Sequence, residues 1–178
     1  MVLLAVCLAV ACVGCSSHNL KKSVFSEELS PLKMARVFQR ERIAHGGNLL
    51  VVPFSAGEGV QASDELDHVS LEIVKGISDI LQAKGRPFKF LDSEDAQSAD
   101  LVIKGRVVRL EEKTGFKMLP GKHKILSLAV EGSVIEVQGE EILAKFSQDK
   151  KGAGKGDTFE NLGYRIGVEI GQFLLSVE

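Results

Sequence analysis

The sequence predicts an α+β domain, and three observations carry that expectation. One short continuous apolar run precedes everything else in the domain, two amphipathic helix patterns of about twenty residues each follow it, and three strand patterns in succession lie between those helices. In chain order, Pro31 is expected to open a short helix, because Leu32, Ala35, Phe38 and Arg42 recur at helical spacing. The apolar run is Asn48-Leu49-Leu50-Val51-Val52-Pro53-Phe54, bounded by Gly46-Gly47 and Ser55-Ala56-Gly57. It reads as a strand buried on both faces that weakens at Pro53, which has no N–H for a ladder.

From Ser63 to Lys84 the period changes: Leu66, Val69, Ile73, Ile77, Ile80 and Leu81 fall three or four apart on one helical stripe. Ser63 or Asp64 caps it, Asp64, Glu65 and Asp67 favour its positive end, and Gly85 stops it. Those acids are charges of a helix N-terminus rather than catalytic groups. Pro87 to Leu91 reads as a second strand and Asp92 to Gln97 as a polar turn or a single helical turn. Ala99 to Glu111 is a strand with Gly105 marking a bulge or a close approach. Lys113 to Lys124 is expected to be a loop, and Ile125 to Gln138 a strand with a bulge at Gly132-Ser133. Gly139-Glu140 suits a hairpin turn, and Glu141 to Gln148 returns as a third strand, completing an antiparallel meander.

Lys150 to Thr158 is rich in Gly and Lys but is a connector, not a phosphate loop: Lys155 is followed by Gly156, with no Ser or Thr hydroxyl placed for magnesium. The final helix, from Asp157 or Thr158 to Val177, buries Phe159, Leu162, Ile166, Ile170, Phe173 and Leu174. On another stripe Gly163, Gly167 and Gly171 stand four apart. Each Gly inside a helix costs roughly 0.5 to 1 kcal/mol against Ala, so three at this spacing mark a groove where another backbone comes close. Either the sheet or the first long helix fills it, or it is a docking stripe for a partner chain.

The uncharged apolar run from Met1 to Val13 is too short to cross a bilayer, which needs roughly 20 residues of helix, and fits a signal peptide. It ends in Cys12-Val13-Gly14-Cys15, followed by the polar Ser16-Ser17-His18-Asn19. The pattern resembles the bacterial lipoprotein lipobox, which has a small residue before a lipid-accepting cysteine. Its last two positions match, and Cys12 stands where Leu is usual. Cys15 is therefore the expected lipid-attachment site, residues 1–14 the signal peptide, 15–45 a tether with a short helix, and 46–178 a single domain. The absence of Lys or Arg before Cys15 places the expected start codon upstream of Met1. Several acyl chains on one residue would make the protein anchored rather than spanning. Cys7 and Cys12 leave with the signal, so no thiol remains for disulfides or thiolate metal sites. Ser16 after the cysteine points to the outer membrane, facing the periplasm.

The formal net charge of −2 does not favour a nucleic-acid partner. His18, His45, His68 and His123 lack metal-ligand spacing, no serine sits in a nucleophile elbow, and Glu111-Glu112 and Glu140-Glu141 put neighbouring acids on opposite faces or in a turn. No catalytic residue, cofactor or metal is expected.

The order Leu49-Leu50-Val51-Val52-Pro53-Phe54, a helix ending at Gly85, Ala99-Asp100-Leu101-Val102-Ile103-Lys104-Gly105 and a Gly-spaced last helix resembles small bacterial lipoproteins of the curli-secretion-protein type. The amino-terminal domain of the Tol–Pal periplasmic protein and the outer-membrane lipoprotein activators of penicillin-binding proteins share the arrangement. The resemblance implies a mixed, mostly antiparallel sheet of about five strands with two main helices packed on one side, and a role in envelope assembly. Channel-forming members have long amphipathic hairpins, for which the short polar Lys113 to Lys124 segment leaves no room. Two functions are expected to compete: a non-catalytic module that binds an envelope protein partner while the lipid anchor holds it on a membrane, or a small-molecule or lipid-binding module using the space between sheet and helices. A filled core with an exposed patch favours the first, a large apolar pocket the second.

Overall fold

The computed structural model describes residues 32–84, 88–91, 93–116, 122–154 and 156–177. Its elements are β1 (Met34–Val37), α1 (Arg40–His45), β2 (Gly47–Val51), β3 (Ser55–Ala56), α2 (Asp64–Ala83), β4 (Phe88–Leu91), a 3-10 turn (Ser93–Ser98), β5 (Leu101–Phe116), β6 (Lys122–Glu136), β7 (Glu141–Gly152) and α3 (Phe159–Ser176). The seven strands form one mixed sheet in the order β1-β7-β6-β5-β2-β4, with β3 also beside β5. The expected meander is present: β5, β6 and β7 pair antiparallel in succession. The βαβ unit made by β2, α2 and β4 supplies a parallel pair, and β2 also runs parallel to β5.

The fold has more strands than the five expected, and the extra ones come from segments with weak patterns. Residues 34–37, expected in a helix after Pro31, form β1 instead, antiparallel to β7. A short isolated helix is marginal in water, whereas here the N–H groups of Phe38 and Gln39 find the Leu143 carbonyl at 2.8 and 3.2 Å. Leu32 and Val37 pack against the core and Ile43 is fully buried, so the folded unit begins ahead of Gly46 and includes part of the expected tether. The expected loop between Lys113 and Lys124 is mostly strand: β5 continues to Phe116, and β6 starts at Lys122 directly opposite it. The expected bulge at Gly132-Ser133 is absent. Gly132 pairs squarely with Gly105, and the irregularities fall between Val107 and Arg109 on β5 and, opposite Val134 and Ile135, at Leu143 on β7.

β2 is not buried on both faces throughout. Leu49 and Val51 are buried, whereas Leu50 is half-buried, the alternation of a sheet covered on one side. On the covered side, Ile103, Val107, Leu128, Val130, Val134 and Phe146 meet Ile73, Ile77, Ile80, Leu162, Ile166 and Ile170 from α2 and α3. Both long helices start as their caps dictate: Ser63 Oγ accepts from the Leu66 N–H, and Thr158 Oγ1 from the Asn161 N–H, each at 3.2 Å. No described helix is long and apolar enough to cross a membrane.

One polar network lies in this core. Glu169 of α3, 2 % exposed, faces β7, where Lys150 Nζ lies 2.5 Å from its Oε1 and Gln148 Nε2 donates to its Oε2. Gln148 Oε1 in turn accepts from the backbone N–H of Lys33 at 3.0 Å. A carboxylate withdrawn from water needs such partners, and these also fasten the start of the domain to its last helix.

Candidate functional site: the open face and free edge of the sheet

Of the residues singled out from the sequence, Cys15 lies outside the described residues, and Gly163, Gly167 and Gly171 are all buried. The glycine stripe is not an open docking groove, because α2 fills it. A methyl carbon at Gly163 would lie 2.9 Å from the Val69 carbonyl oxygen, and one at Gly167 would run into the Ile73 carbonyl and stand 3.0 Å from Gly76 Cα. Gly76 on α2 faces the backbone of Tyr164, Gly167 and Val168, so both helices give up side chains where they cross. The sequence displayed three of these glycines as a stripe, while the fourth, alone in α2, carried no signal. His45 and His68 are exposed on separate helices, and among the described residues no group of three or more His, Cys, Asp or Glu is placed to hold a metal ion.

With the helices on one side, no described element covers the other side of the sheet, and strand alternation decides what it shows. Side chains directly opposite one another on paired strands share a face. The register places Lys104 opposite Ser133, Ser133 opposite Lys145, and Lys145 opposite Arg36. One row across β5, β6, β7 and β1 therefore carries three cations on the open face. The adjacent row is Arg106, Glu131, Ser147 and Met34. Arg106 Nη2 meets Glu131 Oε2 at 3.0 Å, and Lys33 meets Asp149 at 2.9 Å, so those charges cancel locally. Lys104, Lys145 and Arg36 make no ion pair with a described residue, and the Arg36 guanidinium rests over the Phe38 ring, 5.1 Å from its centroid.

Between these rows lies a shallow depression of about 660 Å³. Its floor is thin because Gly105 and Gly132 stand side by side, with the rings of Phe54 and Phe146 pressed against them from the helix side. Its rim carries two apolar side chains out in water, Met34 at 66 % and Phe38 at 47 % exposure. No spacing in the sequence announced this site, since its parts come from four strands.

The second surface feature is an edge. β2 pairs with β5 only from Leu101 to Ile103, and β3 only at Arg106 and Val107. Beyond Val107 the outer edge of β5 has no neighbouring strand among the described residues, while β6 continues beside it to Lys122. This ribbon bears charges that blunt it as an aggregation edge: Lys113 meets Glu111, and Lys124 meets Glu112, both at 2.9 Å. The hydrogen bond and charge of Lys113 hold the Glu111 carboxyl below the usual carboxylate range.

At the level of sequence, no protein-family model and no curated protein matches this chain. Its fold is similar to that of solved structures. PelC from Paraburkholderia phytofirmans, a dodecamer, aligns over 79 % of this chain and 96 % of its own, with 15 % identity and a TM-score of 0.55. XCC0632 from Xanthomonas campestris, of the DUF330 family, aligns over 80 % of this chain and 92 % of its own, with 10 % identity and a TM-score of 0.50. At these identities the likeness is one of fold.

Proposed function

We propose that this chain is a lipid-anchored, non-catalytic module of the cell envelope, held through Cys15 on the outer membrane, facing the periplasm, where it docks an envelope protein partner. The observation that carries this reading is the filled interior. The space a small-molecule or lipid module would need between sheet and helices is taken up by Ile73, Ile77, Ile80, Ile103, Leu128, Leu143, Leu162, Ile166 and Ile170, each buried to 1 % exposure or less. Binding is then left to the surface, and the surface offers the free edge of β5, where a partner strand can pair through its main chain. The lipobox-like Gly14-Cys15 and the resemblance to curli-secretion-type lipoproteins support the envelope setting.

A photo-crosslinking residue in place of Thr114, exposed on that edge and on the helix side of the ribbon, or in place of Asp67, on the outer side of α2, tests the reading in intact cells. The expected result is one discrete adduct from position 114 and none from position 67, in a protein whose fatty-acid label is lost in Cys15→Ala. A labelled, membrane-bound protein that yields no adduct from position 114 overturns the docking role; label retained by Cys15→Ala overturns the anchor.

A further inference from the structure

We infer that the open face of the sheet is a second contact surface, which lies on the anionic phospholipid headgroups of the membrane that Cys15 enters. The inference rests on the anchored reading above and adds an orientation to it. Charge complementarity is the first argument. The open face carries Lys33, Arg36, Lys104, Arg106, Arg109, Lys113, Lys145 and Lys151 against Glu111, Glu131 and Asp149, and the three acids are each committed to one cation. Lys104, Lys145 and Arg36 stand abreast with no ion pair to a described residue, on a chain whose formal net charge is −2. Neighbouring strands are about 4.8 Å apart, so the row from Lys104 to Arg36 spans about 14 Å and meets more than one headgroup.

Position in the chain is the second argument. Met34 and Phe38, the two exposed apolar side chains on the rim, are the first residue of β1 and the residue after it, and β1 is the first described element after the tether. Apolar side chains beside cations are the composition that settles at a headgroup boundary. Each tether residue spans at most about 3.6 Å, so residues 16–33 reach easily from an embedded Cys15 to β1 and hold this face near the lipid at high effective concentration. With the open face down, α2 and α3 lie on the side away from the bilayer and the β5 edge at the flank stays free for a partner.

The test uses the full-length chain carrying Cys15→Ala, so that no acyl chain contributes, and vesicles of one part phosphatidylglycerol to three parts phosphatidylcholine against vesicles of phosphatidylcholine alone. The segment before residue 15 carries no charged side chain to favour either kind, and the measured quantity is the difference between them. The expected result is stronger sedimentation with the anionic vesicles, weakened by salt. Lys104→Glu with Lys145→Glu should reduce the preference by more than the roughly 25-fold that removing two cations costs, at about fivefold for each. Lys104→Gln with Lys145→Gln should reduce it roughly 25-fold, and Lys75→Glu on α2 not at all. No preference for anionic vesicles, or one that survives the double reversal, overturns the inference. So does a Lys104-dependent complex with poly-glutamate in the absence of that preference, which would assign the face to an acidic polypeptide, or a Lys104-dependent dimer in sedimentation velocity. Because the acyl group is absent throughout, failure of the anchor is read separately by the fatty-acid label.

Discussion

Gly167→Ala probes the helix crossing on which the layer above the sheet depends. At an open helical site Ala is favoured over Gly by about 1 kcal/mol. At Gly167 the added carbon meets the Ile73 carbonyl and lies 3.0 Å from Gly76 Cα, and these are backbone atoms that cannot swing aside as the end of a side chain can. Adding a methylene to a packed interior costs about 1–3 kcal/mol. With backbone on both sides the upper figure applies, so after the helical gain the net loss is about 2 kcal/mol. In a domain of this size that lowers Tm by about 4–8 °C. Urea denaturation followed by far-ultraviolet circular dichroism measures it, with an unchanged m-value showing that stability alone has shifted. Gly156→Ala is the control, because a methyl carbon there meets nothing within 4 Å. If Gly167→Ala unfolds at the same or a higher urea concentration than the parent, the tight crossing of α2 and α3 is refuted.

Two further predictions concern charge inside and outside the core. Lys150→Ala leaves Glu169 in the core without its 2.5 Å ion partner and should cost about 3–5 kcal/mol; Lys150→Met with Glu169→Leu should recover most of that loss in the same denaturation assay. Tyr164 is the one tyrosine of the chain, and its hydroxyl donates to Asp79 Oδ2 at 3.0 Å. Burial first, then the hydrogen bond and charge of Asp79, raise its phenol from 10.0 to about 12. The folded chain then keeps a proton that the unfolded chain has lost, so the stability present below pH 10 falls as pH rises from 10 towards 12. Phenolate absorbance follows that single residue directly, and Tyr164→Phe should flatten the alkaline loss.

Local patterning reached far into this protein. Both long helices and their caps at Ser63 and Thr158, the meander and the hairpin at Gly139-Glu140 were legible, because each rests on contacts or hydrogen bonds between residues near in sequence. The weak elements were not. Residues 34–37 carry a helical spacing that loses to pairing with β7, a partner more than a hundred residues away. The strand ends beyond Lys113 and before Lys124 hold together by facing each other, which their separate compositions do not express.

The glycine stripe shows where the division falls. The sequence by itself determined that α3 has a side with no side chains, since a four-residue repeat in a helix is a local property. Which neighbour occupies it was decided by the tertiary structure, through the lone Gly76 of α2. The same holds for the cationic row. Lys104, Lys145 and Arg36 are ordinary surface residues in the chain and become a single surface only when register aligns three antiparallel pairings and the helices cover the opposite face. Helical and strand periodicity are written in steps of a few residues, whereas register and layer order come from closing long loops, and no short window of sequence contains them.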